Sequence, residues 1–90
     1  MKYAFEFRPL AQRNLRAIPQ RDAIALLNAL AALGDDPYTP NQAVKPMSGT
    51  PGQFRLRCGN YRAVYEIVDG RLIILVIDVG HRSAIYRRRT

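Results

Sequence analysis

Four arginines stand on or beside short apolar stretches: Arg55 and Arg57 in QFRLRC, Arg62 in NYRAVYEIV, and Arg82 in GHRSAIYRRR. Arg55 and Arg57 are two residues apart, so on a strand they project from one face, with Phe54, Leu56 and Cys58 on the other. Arg62 follows the Gly59-Asn60 turn on the neighbouring strand and joins that face if the register allows. Guanidinium groups stay charged and offer planar, paired donors to phosphate oxygens. Grouped together, they bind a polyanion and stabilise the charge that builds on a phosphate under attack. Tyr86 lies four residues beyond Arg82 and shares its side if Ser83 begins a helical turn. Its phenol could orient or deprotonate a hydroxyl, stack on a base, or pack with Ile85 as an apolar anchor. His81, the single histidine, could act as a neutral base, bind phosphate, or cap the strand end. Lys45 is a candidate substrate contact. Arg87, Arg88 and Arg89 read as a solvated, phosphate-attracting tail, and Cys58 as a small core residue. The competing view is that the arginines only solubilise a sheet face. Against it, like charges on neighbouring strands repel, and a solubilised face mixes both signs.

Other chemistries lack their residues. The sequence has no paired-carboxylate motif, CxxC, HExxH, P-loop or GxGxxG. One histidine and one cysteine cannot build a usual zinc site. Ser48 or Ser83 with His81 lies in no nucleophile-elbow context. No metal and no cofactor is expected.

The elements that must carry these groups follow from patterning. In residues 2–7, Tyr3, Phe5 and Phe7 alternate with Lys2, Ala4 and Glu6, which predicts a strand with one buried face. Pro9 suits the first turn of a helix, whose stripe over residues 9–18 is Leu10, Ala11, Leu15 and Ile18. After Pro19, a second helix over about residues 20–33 carries Ala23, Leu26, Leu27, Leu30 and Leu33 on one face and ends at Gly34. The two form a helical hairpin. Residues 35–52 hold four of the six prolines and two of the six glycines and read as a connector. Residues 53–58, 60–68 and 71–79 read as three strands, with Asp69-Gly70 as a two-residue hairpin turn. The last strand is apolar on both faces and therefore central. The whole predicts one α+β domain over residues 1–90, ordered β-α-α-β-β-β. Its helical hairpin packs on one face of a mainly antiparallel four-stranded sheet and leaves the other face at least partly open.

Charge points to the partner. The chain carries fourteen basic and seven acidic residues, a net +7. Residues 55–90 hold eight of the bases, all arginine, against three acids. A basic half-domain predicts an anionic partner. LIILVI, at residues 72–77, is far too short to span a bilayer, and the N-terminal residues show no signal-peptide pattern. A lone cysteine fits a reducing cytoplasm.

These segments together resemble the RelE/ParE superfamily of bacterial toxins, most specifically in NYRAVYEI, in the apolar strand after Asp69-Gly70, and in VGHRSAIYR. The resemblance implies the RelE-like microbial RNase fold. In its RelE branch it implies a ribosome-dependent endoribonuclease that cuts mRNA in the A site by metal-free attack of the ribose 2′-OH. In its ParE branch it implies a DNA gyrase inhibitor that generally lacks the catalytic set. The RelE pattern has two basic residues on one strand, an arginine on the next, an arginine ending the last strand, and a tyrosine soon after. Arg55, Arg57, Arg62, Arg82 and Tyr86 fill those places, with His81 as a competing acid–base group and Lys45, Arg87 and Arg88 as phosphate contacts. One departure stands out: the first pair is arginine where the family often has lysine. The resemblance also implies a cognate antitoxin, binding of operator DNA only as the toxin–antitoxin complex, and no membrane association.

Overall fold

The computed structural model describes residues 2–89. In chain order these form β1 (Ala4–Phe7), α1 (Pro9–Ala17), α2 (Gln20–Ala31), β2 (Val44–Pro46), β3 (Gln53–Cys58), β4 (Tyr61–Val68), a short 3₁₀ turn (Asp69–Arg71), β5 (Ile73–His81) and α3 (Arg82–Arg89). Pro9 occupies the first turn of α1, as its missing N–H allows. The helices bury Ala11, Leu26 and Leu30, joined by Leu33 in the turn just past α2, against Leu56, Ala63, Tyr65, Ile74, Val76 and Val79 of the sheet; α2 thus ends at Ala31, short of the expected residue 33. Leu27, expected on that buried stripe, instead stays partly exposed.

The sheet runs β1-β5-β4-β3-β2, with β1 parallel to β5 and all other pairs antiparallel. It therefore has five strands, not four. The extra strand comes from the proline-rich connector: Val44, Lys45 and Pro46 pair with Leu56, Arg55 and Phe54. A proline-terminated strand of three residues is tolerated because it lies at the sheet edge.

The expected two-residue turn at Asp69-Gly70 is also corrected. The chain makes a 3₁₀ turn and places Leu72, not Gly70, in the left-handed region at φ 52°. The Asp69 carboxylate accepts hydrogen bonds from the Tyr3 and Tyr38 hydroxyls, so it holds the turn to distant parts of the chain. The longer turn delays the next strand, which spans residues 73–81 instead of 71–79.

One irregularity sets up everything on the open face. Tyr65 pairs with Val76 but Val64 pairs with Asp78, so Ile77 is an extra residue on β5. Such a bulge reverses the alternation of side chains beyond it. Val76 and Val79 therefore both belong to the core, while Asp78 shares the opposite face with Val64. There the fully buried Asp78 carboxylate accepts from Arg88 Nε at 2.9 Å, Arg88 Nη2 at 3.1 Å, Arg89 Nη2 at 3.2 Å and Asn14 Nδ2 at 3.0 Å. These bonds tie the C-terminal turn of α3 to β5. Gly80 permits the close approach, because a Cβ there would lie 3.0 Å from Arg88 Nη2.

Burial alone would raise the pKa of Asp78, because it disfavours the charged carboxylate. The Arg88 and Asn14 hydrogen bonds and the two arginine charges outweigh it and hold the carboxyl below its ordinary range. A carboxyl lowered on folding contributes stability that is present above its unfolded pKa, near 3.9, and is lost as pH falls through the folded value. Asp78→Ala should destabilise the domain by about 3 kcal/mol, the low end for a broken buried pair, because Arg88 remains partly in solvent. In acid unfolding followed by circular dichroism, Asp78→Asn should lack the part of the wild-type stability loss that falls below about pH 4.

Candidate active site: an arginine-lined cleft

The open sheet face and α3 enclose a cleft of about 560 Å³, lined by Gln42, Ala43, Lys45, Arg55, Arg57, Arg62, Arg82, Ser83, Ile85, Tyr86 and Arg87. Register explains the convergence. Arg57 stands directly opposite Arg62, and Arg62 opposite Gly80. Lys45 stands opposite Arg55, and Arg55 opposite Val64. Directly paired residues share a face, so these two rows place Lys45, Arg55, Arg57 and Arg62 on one surface.

Arg62 lies at the centre. Its Nη1 donates to the carbonyls of Gly59 and Tyr61, both at 2.9 Å. Burial, and then the charges of Arg55, Arg57 and Arg82, push its pKa below the usual arginine range. The guanidinium still stays protonated under physiological conditions. The same four residues that repel one another here would share the charge of a bound phosphate.

Residues 82–89 form the helix α3, which divides in function along its length. The Arg82 N–H donates to the Asn60 carbonyl at 2.7 Å, which fixes the start of α3 beside the β3–β4 turn. Ile85, 2% exposed, is the apolar anchor of the helix. Tyr86, one turn beyond Arg82, is not: it is 66% exposed and lines the cleft. Arg87 also lines the cleft. Arg88 and Arg89 turn to Asp78. The expected solvated tail of three arginines is thus corrected to one cleft residue and two anchors, because the bulge had set a buried carboxylate within their reach.

His81 does not line the cleft. Its ring meets Tyr61 edge-on, with centroids 5.5 Å apart. Its Nδ1 accepts the Ser83 backbone N–H at 3.2 Å and lies 2.9 Å from Ser83 Oγ. The ring thereby occupies the place of a capping side chain at the start of α3. Cys58 is half-buried against the core.

Of the nine residues singled out by sequence, seven meet in the cleft and two, His81 and Arg88, do not. Gln42 and Ala43 were missed, and Ser83 and Ile85, read as a helix start and an apolar anchor, also line the cleft. Ile85 was detectable as the apolar member of a basic run; Gln42 and Ala43 depend on β2, whose three residues carry no usable alternation. The lining contains six cations and no carboxylate. Among the described residues, no group of three or more histidine, cysteine or acidic side chains could hold a metal ion, and no helix is long and apolar enough to cross a membrane.

Comparison with known proteins gives a consistent picture. Residues 5–86 match the model of the ParE toxin of type II toxin–antitoxin systems. Toxin RelG of Mycobacterium tuberculosis is 35% identical over 89 residues, covering 98% of this chain and all of RelG. Toxin RelE of the same organism is 33% identical over 78 residues, covering 86% of this chain and 78% of its own. Among solved structures, the toxin–antitoxin complex RelBE2 of M. tuberculosis contains a chain with TM-score 0.76 and 30% identity, covering 91% of this chain and 100% of that one. The RelBE complex of Escherichia coli contains one with TM-score 0.74 and 27% identity, covering 88% and 95%. With fold, length and sequence all matched, this chain belongs to the ParE toxin family of the RelE/ParE superfamily, the toxins of type II toxin–antitoxin systems.

Proposed function

We propose that this toxin is a ribosome-dependent endoribonuclease that cuts mRNA in the A site without a metal ion. The observation that carries the reading is the cleft itself: Arg55, Arg57, Arg62, Arg82 and Tyr86 line one cavity with no carboxylate among them. A surface of that kind suits a phosphodiester, whose charge rises as the 2′-oxygen attacks phosphorus. Its lining offers no carboxylate, imidazole or thiolate to hold a metal, which supports a metal-free route.

The roles follow from position. Arg55, Arg57 and Arg62 grip the phosphate and stabilise the pentavalent intermediate. Arg82 contacts the scissile phosphate from the start of α3. Tyr86 orients the 2′-OH and takes its proton. Arg87 adds affinity for the backbone. Arg88 acts through Asp78 and α3, not through RNA. His81 holds the first turn of α3 and does not exchange protons with substrate. Fixed charges of this kind do little to orient a flexible RNA, so the ribosome supplies the orientation.

The structures of RelB with RelE also support a cognate antitoxin for this chain; binding of operator DNA by the toxin–antitoxin complex alone is part of the same proposal. An acidic segment that folds on binding would suit the basic cleft. The compartment of action is the cytoplasm, where ribosomes and mRNA are found.

A second reading, inhibition of DNA gyrase without RNA cleavage, is favoured by the ParE description of the matched family. Mapping mRNA ends in reconstituted translation, beside a gyrase supercoiling assay, separates the two; intact mRNA with blocked gyrase would reverse the assignment. Within the ribonuclease reading, Arg82→Ala should reduce single-turnover cleavage about 10²–10³-fold, and Tyr86→Phe about a hundredfold, with unchanged circular dichroism. His81→Asn keeps a capping side chain but cannot transfer protons, so it should retain activity within roughly threefold, whereas an acid–base histidine would cost about 10²–10⁴-fold. Arg87→Ala should weaken RNA binding and lower the slope of log affinity against log salt by about 0.7.

A further inference from the structure

The cleft holds many charges but few protons that can move. Five of its lining residues are arginines, and a guanidinium does not give up its proton in a protein. Ala43, Ile85, Gln42 and Ser83 carry no side chain that titrates in water. Only Tyr86 and Lys45 remain.

β2 brings Lys45 into the cleft. It stands directly opposite Arg55 and so projects from the same face. Its position is the outermost strand of the sheet, whereas Tyr86 rides on α3, which continues from β5. The strands between them, β3 and β4, carry Arg55, Arg57 and Arg62. The two groups able to exchange protons therefore flank the arginines from opposite sides. An in-line displacement needs that arrangement, because the attacking and leaving oxygens sit on opposite sides of phosphorus.

We propose that Lys45 is the general acid of this site, an assignment that rests on the ribonuclease reading. The 2′-oxygen bonds to phosphorus, and its proton passes to Tyr86 as the phenolate. The bond from phosphorus to the 5′-oxygen breaks, leaving its electron pair on that oxygen. The Lys45 ammonium delivers a proton there; afterwards the Tyr86 phenol releases its proton to water and the Lys45 amine takes one up, which restores both groups. The products are a 2′,3′-cyclic phosphate and a 5′-hydroxyl. An ammonium can make this delivery in its ordinary charged form, which no arginine of the cleft can do.

The test uses programmed ribosomes carrying an A-site mRNA whose scissile 5′-oxygen is either natural or replaced by sulfur. A thiolate leaves without being protonated, since a thiol is far more acidic than an alcohol. Wild type, Lys45→Arg and Lys45→Ala are compared in single turnover; the residue is exposed, so both variants should fold. On the natural mRNA both should lose about a hundredfold or more. On the sulfur mRNA both should return to within about fivefold of wild type, while Tyr86→Phe remains defective. Near-normal cleavage of natural mRNA by Lys45→Arg would overturn the assignment, since charge alone would then suffice. A defect that persists on the sulfur mRNA would overturn it too, because Lys45 would then hold RNA without donating a proton. Should wild type cleave neither mRNA, the ribonuclease reading itself falls; should wild type cleave both, that reading stands whatever the lysine does.

Discussion

The site depends on one buried carboxylate. Asp78 is the point at which α3 is fastened to the sheet, through Arg88 and Arg89. Without the bulge at Ile77, residue 78 would face the apolar core, where an unpaired carboxylate is costly. With it, the carboxylate meets two guanidiniums and an amide on the other face. A buried ion pair is no efficient source of stability, because desolvation cancels much of the attraction. Here its directional bonds set where α3 lies. They divide a run of arginines into anchors and cleft residues, and they place Arg82, Ser83 and Tyr86 over the open face.

A second constraint comes from the opposite side of the sheet. Leu26, Leu30, Leu56, Tyr65 and Ile74 are fully buried and lock the register of β3, β4 and β5. A slip of one residue would carry Arg55 and Arg57 into that core. The arginines therefore cannot separate to relieve their repulsion, and the pKa of Arg62, lowered first by burial, is lowered further by that crowding. Apolar packing on one face thus offsets cation crowding on the other. The crowded face is then ready for an anion before any ligand arrives, with no rearrangement to oppose binding.

Much of this was legible in residue order. Alternation in QFRLRC placed Phe54, Leu56 and Cys58 inward and Arg55 and Arg57 outward, and the hydrophobic stripes marked the helical hairpin. What escaped was set by long-range pairing. β2 exists because β3 offers it an edge, not because three residues flanked by turns prefer to be extended. The turn at Asp69 is shaped by Tyr3 and Tyr38, remote in sequence. The fate of Arg88 was hidden because its partner, Asp78, lies in a strand whose alternation predicts the wrong face. Local composition marks a basic tail as solvated unless a buried acid is known to wait for it.

The division of labour within the cleft follows the division of stability within the fold. Three of the fixed charges, Arg55, Arg57 and Arg62, sit on β3 and β4, long strands in the interior of the sheet. The two side chains able to exchange protons sit on the elements with the least support: a three-residue edge strand and an eight-residue terminal helix. Peripheral elements of this size open at a lower free energy than the core strands do. In the proposed mechanism, chemistry is therefore more easily switched off than binding. A partner that displaced α3 would remove Arg82 and Tyr86 together, because the helix is one rigid unit held at its ends by Asn60 and Asp78. It would leave Arg55, Arg57 and Arg62 in register, still cationic and still able to hold an acidic segment. On the proposed reading, a toxin built in this way can be inactivated through the same charge by which it would hold RNA.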